Sequence, residues 1–238
     1  MRGEPVPRVL LMVGLFAPAA CLFPSLGGLS EGSADATLAD SGGDTTSDAF
    51  AFVQANSSTV NDASIATISF KQPVTAGDTL IVCVDWAGAG TMKVTDSLGN
   101  AFSTVYVVGS RLVSVAFDVR GGIDLVSLDL GVVSSEYEIY VHEYRGVRAL
   151  DFANGMNGTG DAMSSGPIDV TEAPELLFGF GPINGGSGVA GEGFTQRTAL
   201  NGNITEDMVV TDAGTLSATA VNLNGSSWTM IGASFKGF

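Results

Sequence analysis

The sequence predicts an all-β protein, a two-sheet antiparallel β-sandwich of jelly-roll-like type. Short apolar runs separated by turn signals recur along most of the chain, which is the pattern of many short strands. Gly is abundant, at 32 of 238 residues, and charged residues make up only 15%. No window shows the apolar spacing that an amphipathic helix requires. These observations favour a turn-rich β protein of the extracellular kind.

Residues 1–20 are predicted to be a signal peptide. Arg2 and Arg8 lie in a short N-terminal region. An apolar run follows from Val9 to Phe16, and small residues come next. The apolar run is shorter than the roughly 20 residues that span a bilayer. The chain is therefore expected to be exported.

Two cleavage sites fit the end of this leader. Ala19-Ala20-Cys21 resembles the lipobox of bacterial lipoproteins, in which the Cys is lipidated, although Pro18 stands where an aliphatic residue is usual. The alternative is ordinary cleavage after Ala19, which would give a secreted protein. We favour lipid attachment at Cys21, because this residue directly follows the apolar run and a polar spacer comes after it.

The segment 21–49 is predicted to be a disordered acidic tether. Its later part is Gly, Ser, Thr and Asp with no basic residue, so it cannot bury a core. If Cys21 carries lipid, the other cysteine, Cys83, has no partner. Cys83 lies in the apolar run L-I-V-C-V-D-W and is expected to be an inert buried thiol.

The folded part is predicted to begin at Phe50. Thr79–Trp86 is apolar on both faces, as in a central strand. The predicted strands are Phe50–Gln54, Ser64–Phe70, Thr79–Trp86, Met92–Thr95, Ala101–Val108, Arg111–Val119, Ile123–Leu130, Glu136–Arg145, Glu175–Phe180, Phe194–Arg197, Ile204–Thr211, Thr215–Val221 and Trp228–Lys236.

A single domain, 50–238, is the favoured organisation. The alternative divides the chain near Gly146–Asn157 into two immunoglobulin-sized halves. We favour one domain because the last strand, near the C-terminus, is expected to close a sheet begun at Phe50.

Several segments in this order resemble a β-sandwich module of secreted bacterial multidomain proteins, which often stands beside adhesive or sugar-binding modules. The resemblance covers about residues 50–236 and implies no catalytic residues. It depends on V-T-A-G-D-T-L-I-V, V-T-D-S-L-G-N-A-F, E-Y-R-G-V, E-L-L-F-G, G-E-G-F-T-Q-R, T-E-D-M-V-V and S-W-T-M-I-G-A-S-F-K.

The Glu136–Arg145 strand contains the candidate ligand-binding residues. Tyr140 and Tyr144 are the candidates for an exposed aromatic platform, since Trp86 and Trp228 lie in apolar strands and are expected in the core. His142 is expected to be exposed at a strand end. Glu143 shares a face with apolar residues, so it needs a partner. Arg145, Arg148 and Arg197 are the candidates for that partner.

No catalytic residue is predicted. The zinc motif H-E-x-x-H is absent, because His142 is the only His and residue 146 is Gly. There is no G-x-S-x-G nucleophile motif, and nothing singles out a carboxylate pair for glycoside hydrolysis. Tyr140, His142 and Arg145 weakly resemble the active-site cluster of jelly-roll polysaccharide lyases. An extracellular polysaccharide-acting enzyme, a lyase or glycosidase, is thus the alternative function.

No cofactor is predicted, with calcium as a second interpretation of two loops. Asp96 and Asn100 lie in one loop, and Asp151, Asn154, Asn157 and Asp161 in another. The favoured interpretation of 96–100 is a hairpin turn, in which Gly99 and Asn100 are able to take positive φ. Calcium at Asp96 and Asn100 requires a second acidic loop beside them.

The net charge of −15 excludes nucleic acid as an expected partner, because phosphate binding needs Lys and Arg. The sequence therefore predicts a surface-tethered, non-catalytic module for binding, adhesion or display at the bacterial envelope. The expected partner is an envelope or extracellular glycan or protein, and the expected membrane contact is the lipid anchor alone. The sequence predicts no oligomeric state.

Overall fold

The computed structural model describes residues 50–237, and the predicted leader, tether and Cys21 lie outside them. The described part is built of β-strands and contains no helix long and apolar enough to cross a membrane. In chain order the strands are β1 (Ala51–Ser69), β2 (Thr79–Trp86), β3 (Lys93–Asp96), β4 (Ser103–Val108), β5 (Arg111–Ala116), β6 (Leu125–Arg145), β7 (Ala149–Thr159), β8 (Ala162–Ser164), β9 (Ile168–Val170), β10 (Glu175–Gly181), β11 (Gly188–Ala190), β12 (Thr195–Leu200), β13 (Asn203–Val210), β14 (Gly214–Leu216), β15 (Thr219–Asn222) and β16 (Ser227–Lys236).

Two antiparallel sheets form the sandwich, which confirms the predicted fold class. Sheet one has the order β1-β6-β2-β5-β4, with β3 paired to the far part of β6. Sheet two has the order β12-β13-β10-β16-β7. The strands before residue 146 thus make sheet one, and sheet two is made only of strands that follow it. Two small sheets, β11-β15-β8 and β14-β9, complete the described part.

The inner faces of the two sheets share one apolar core. Ile81 and Cys83 of sheet one pack in a cluster with Phe178, Phe180 and Phe235 of sheet two. Alternation along each strand directs every second side chain into this space. Burial of such large side chains stabilises the fold by about 1.5–3 kcal/mol each. Cys83 is a free buried thiol, as predicted, and burial raises its pKa well above the usual value.

Both outer faces are covered as well. A change of pairing register in the β1–β6 ladder, between Ala63 and Ile65, lets the far part of this pair pack on the other face of β2. The small sheets contribute to clusters that include Met230 and Leu177 of sheet two. Burial on both faces explains why β2 and β10 consist almost entirely of apolar residues.

Some strand predictions were wrong. The runs predicted at Phe50–Gln54 and Ser64–Phe70 belong to one strand, β1, and those at Ile123–Leu130 and Glu136–Arg145 belong to β6. Each connecting segment stays extended because it pairs with the other long strand. The sequence suggested breaks there because those segments are polar and lack clear alternation.

Two expectations about the second half were also wrong. The segment Ala149–Thr159, rich in Asn and Gly, is strand β7, held by a ladder with β16 that runs along its length. The last strand, β16, pairs with β10 and β7 and not with β1. The last strand therefore does not close a sheet begun at Phe50.

Candidate functional site

The residues predicted as an exposed aromatic platform are buried. Tyr140, His142 and Tyr144 all have an exposed fraction of 0%. They lie on the inner face of β6, and Tyr140 and His142 contact Phe180 and Phe178 with ring centroids 5.3 and 5.2 Å apart. The prediction of an exposed strand-end His is therefore wrong. The reason is that sheet two packs over the inner face of β6.

Tyr144 belongs to a polar network that joins the two sheets. Its hydroxyl donates to Asp207 of β13, and Arg197 of β12 binds the same carboxylate through Nε at 2.6 Å and Nη2 at 2.8 Å. The guanidinium also lies over the Phe52 ring, 4.3 Å from its centroid. This bidentate pair satisfies an almost fully buried charge.

His142 is neutral and structural. Its Nε2 lies 2.8 Å from the Thr205 hydroxyl, which in turn lies 2.6 Å from that of Thr198. Burial lowers its pKa to about 3. Arg145 is on the opposite face of β6, with a side chain 62% exposed, so the structure does not bring it together with Tyr140 and His142.

Glu143 is satisfied by groups other than the predicted arginines. Its Oε2 accepts from Gln54 Nε2 at 2.6 Å, and its Oε1 accepts from the backbone N–H of Thr75 at 2.7 Å. Asp78 lies beside it, and burial together with Glu143 raises the pKa of Asp78 to about 6. The expectation of an Arg partner was wrong because the β1–β2 connection covers this part of sheet one.

Asp96 and Asn100 form a closed turn, but not a hairpin. The Asn100 backbone N–H and Nδ2 donate to the two Asp96 carboxylate oxygens at 2.8 and 2.6 Å. Gly99 has a positive φ of +71°, and Asn100 does not have a positive φ. The hairpin prediction is wrong, because β3 pairs with β6 and β4 with β5.

Most of the second segment proposed for calcium is a strand and not a loop. Asp151, Asn154 and Asn157 are strand residues of β7 in sheet two. The acidic neighbour of Asp96 is instead Asp124, whose pKa is raised by burial and by Asp96. Among residues 50–237, no group of three or more His, Cys, Asp or Glu side chains is placed to hold a metal ion.

A polar cleft lies at one end of the sandwich, and we call it the acidic cavity. Its volume is about 580 Å³. Sheet one contributes Asp85, Trp86, Ala87, Arg111, Glu136 and Glu138, and sheet two with its loops contributes Ile183, Asn184, Gly185, Asn201 and Asn203.

A row of charged residues crosses sheet one at this cavity. Asp85 of β2 is directly opposite Arg111 of β5 on one side and Glu138 of β6 on the other. Arg111 Nε lies 3.0 Å from Asp85 Oδ1. The row lies at the end of the apolar core, where the sheet meets solvent.

Glu138 is fixed by side chains from the β12–β13 turn. Asn201 Nδ2 donates to its Oε1 at 2.6 Å, and Asn203 Nδ2 donates to its Oε2. Burial raises the pKa of Glu138, and burial raises that of Asp85 to about 6 despite the opposing effect of Arg111. The Asp85 carboxyl can therefore accept a hydrogen bond when it is ionised and donate one when it is protonated.

A second cavity of about 300 Å³, which we call the tryptophan cavity, shares the walls Arg111 and Asn184 with the first. It is further lined by Asn157, Gly158, Pro182, Ser227, Trp228 and Thr229. The prediction that Trp86 is a core residue is confirmed, with an exposed fraction of 6%. Trp228 only partly belongs to the core, because its side chain is half-buried.

Sequence reasoning missed both cavities. One available signal was alternation, which places Asp85 on the same face as Ile81 and Cys83, and Glu138 on the same face as Tyr140 and His142. A carboxylate on a buried face marks either an ion pair or a site. The contributions of Asn184, Asn201 and Trp228 depend on how sheet two packs, which no local pattern encodes.

No protein-family model, curated protein or solved structure matches this chain significantly.

Proposed function

We propose that this protein is an exported, lipid-tethered binding module of the bacterial cell envelope, and that its ligand occupies the acidic cavity. The observation that supports this proposal is the row Arg111–Asp85–Glu138 in a concave site. Ligand sites are concave and place a few polar groups convergently.

The cavity offers groups suited to a polar ligand. Arg111 is half-buried, which leaves part of its guanidinium able to donate to a ligand. Glu136 and Asn184 are exposed at the rim. Rigid strands hold Asp85 and Glu138, and the hydrogen bonds from Asn201 and Asn203 fix the Glu138 side chain before any ligand arrives. Such pre-organisation lowers the entropic cost of binding.

Binding is tested by applying the full mature chain to glycan arrays and to envelope fractions. We expect retention of a ligand that is lost in Asp85→Asn and Arg111→Gln. Lys71→Gln is the control for the change in charge, because Lys71 is exposed and does not line the cavity. Equal retention by all three variants would refute the cavity as the ligand site.

The tether depends on Cys21. We expect wild-type protein to partition with membranes and Cys21→Ser to be released into the soluble fraction. Unchanged partitioning of Cys21→Ser would end the lipoprotein part of the proposal and leave the binding part standing.

Glycoside hydrolysis is the second candidate, and one observation favours it. Asp85 and Glu138 are carboxyl groups on neighbouring strands, facing one cavity, and hydrolysis uses two such groups. Turnover of a polysaccharide panel, abolished by both Asp85→Asn and Glu138→Gln, would establish this activity. Glu143→Gln serves as the control, since Glu143 does not line the cavity.

A further inference from the structure

We propose that the ligand is an uncharged saccharide chain that spans the acidic and tryptophan cavities, with Trp228 as its stacking platform. The inference rests on the proposed function, since it assigns a ligand class to the same cleft. It goes further by adding a second subsite, by giving Trp228 a role in binding and by requiring at least two linked sugar units.

The position of Trp228 is set by a glycine. Trp228 of β16 is directly opposite Gly158 of β7, and a Cβ added at Gly158 would lie 2.2 Å from Cζ2 of the indole. The ring therefore lies against the backbone of β7, in space that any larger residue would fill. The side chain is only half-buried, and it lines the tryptophan cavity.

A supported, accessible indole suits a sugar ring. The face of an aromatic ring carries partial negative charge, and the C–H groups on one side of a pyranose present partial positive charge to it. The same contact buries apolar surface of both rings.

The tryptophan cavity also offers hydrogen-bonding groups at its rim. Asn157 is exposed, and its Oδ1 accepts from Thr229 Oγ1 at 2.6 Å, which leaves its Nδ2 group to donate to a ligand hydroxyl. Asn184 is exposed, and its side chain makes no hydrogen bond within residues 50–237. Sugar hydroxyls both donate and accept, which matches amide side chains.

The two cavities share lining residues, so a ligand that fills both must be longer than one sugar unit. Arg111 and Asn184 line both cavities, so a chain passing from one to the other contacts both residues. Both volumes lie within the range of about 300–1,000 Å³ that small-molecule sites have. One sugar unit would occupy each cavity, with the linkage beside Arg111.

The charge distribution disfavours an acidic saccharide. The chain carries a net charge of −15, and the acidic cavity contains three carboxyl side chains but a single arginine. That arginine is already paired with Asp85. An anionic chain would therefore meet repulsion that an uncharged chain does not.

The test is calorimetric titration of the full mature chain with neutral gluco-, manno-, xylo- and galacto-oligosaccharides, each with its monosaccharide. We expect one series to bind, with the disaccharide and longer chains binding more tightly than the monosaccharide. Loss of the stacking contact in Trp228→Ala is expected to weaken binding about tenfold. Trp228→Phe, which keeps an aromatic face, should retain most of the affinity.

Two further variants keep the test decisive. Phe152→Ala removes an exposed aromatic side chain of β7 that lines neither cavity, and it should bind as wild type does. Asn184→Ala, at an exposed position, should weaken binding several-fold even if Trp228→Ala fails to fold.

The outcomes separate this inference from the proposed function. Oligosaccharide binding that needs Asp85 and Arg111 but is unchanged in Trp228→Phe, Trp228→Ala and Asn184→Ala overturns the second subsite alone. Capture of an envelope protein that needs Arg111, without binding of any glycan, overturns the saccharide class and keeps the cavity as the ligand site. Absence of binding to every probe overturns both.

Discussion

Asp85 and Glu138 are direct cross-strand partners on β2 and β6, and both face the space between the two sheets at its open end. The next inward pair on the same two strands is Cys83 and Tyr140, which is fully buried. The inner face of sheet one thus changes from apolar to charged within one pair of residues. This change places carboxyl groups at the wall of the acidic cavity, with the apolar core behind them.

Glu138→Gln should loosen the β12–β13 turn. Both Glu138 oxygens accept from asparagine amides, so a glutamine would place its own N–H₂ group against one of these donors. An unpaired buried group of this kind costs about 1–3 kcal/mol. Urea denaturation should show this loss, whereas Glu136→Gln, at an exposed site nearby, should stay within about 0.5 kcal/mol of wild type. Equal stability of both variants would contradict the assigned hydrogen bonds.

Stability should increase as pH falls from about 8 to about 5, because folding raises the pKa of several carboxyl groups. Burial is the main cause, and it raises the pKa of Asp78 and of Asp85 to about 6 and the pKa of Glu206 to about 7. The folded state therefore binds these protons more tightly than the unfolded chain. The resulting stabilisation is complete below the unfolded pKa and is lost as pH rises through 6 to 7.

Glu206→Gln isolates one contribution to this pH dependence. Glu206 is fully buried, its Oε2 accepts from the Gly191 N–H at 2.9 Å, and its Oε1 has no partner in the described part of the chain. The neutral variant should be more stable than wild type at about pH 8 and nearly equal to it at about pH 5. Denaturant titrations across this range provide the measurement. Parallel curves for the two proteins would show that Glu206 does not titrate there.

Arg197→Met should strongly destabilise the fold, although the Arg197 side chain is partly exposed. It removes both hydrogen bonds to Asp207 and leaves a nearly fully buried carboxylate with the Tyr144 hydroxyl alone. Breaking one side of such a pair costs about 3–5 kcal/mol. The double variant Arg197→Met with Asp207→Leu should recover most of that loss in thermal unfolding. If the double variant is less stable than Arg197→Met, the network contributes more than charge compensation.

Gly158→Ala should displace the Trp228 ring. The new methyl group would lie 2.2 Å from the indole, so the ring must move, at a cost of about 1–3 kcal/mol for overpacking. We expect a shifted tryptophan emission spectrum and the same loss of saccharide affinity as in Trp228→Ala. An unchanged spectrum together with unchanged stability would show that the ring does not lie against β7.

Calcium should not shift the melting temperature. Both Asp96 oxygens already accept hydrogen bonds from Asn100, and an ion would have to displace them. Differential scanning calorimetry with calcium and with a chelator is the measurement. A higher melting temperature in calcium, abolished by Asp96→Asn, would establish a site that includes this loop.

The fold class and the central strands were predictable because they depend on local alternation. Thr79–Trp86 matches β2 to the residue, and the run predicted at Glu175–Phe180 ends one residue before β10 does. The edge strand β7 was not predictable, because its Asn and Gly residues have low strand propensity and only pairing with β16 keeps them extended. Strand propensity is a weak signal where pairing with a distant strand determines whether a segment is extended.

The candidate site likewise combines features that the sequence determines with features that only the packing of the sheets determines. The sequence by itself determined that this chain makes antiparallel strands with buried faces and that Cys83 is a buried thiol, and its alternation places the Asp85 and Glu138 side chains on faces that are otherwise buried. Only the tertiary structure decided that Tyr140, His142 and Tyr144 are covered, and that Trp228 is partly exposed. Those outcomes depend on which sheet lies opposite which, and the contacts involved join residues more than 60 positions apart, such as Tyr144 with Asp207. Alternation assigns a side chain to a face, whereas the packing of the second sheet determines whether that face is covered or open.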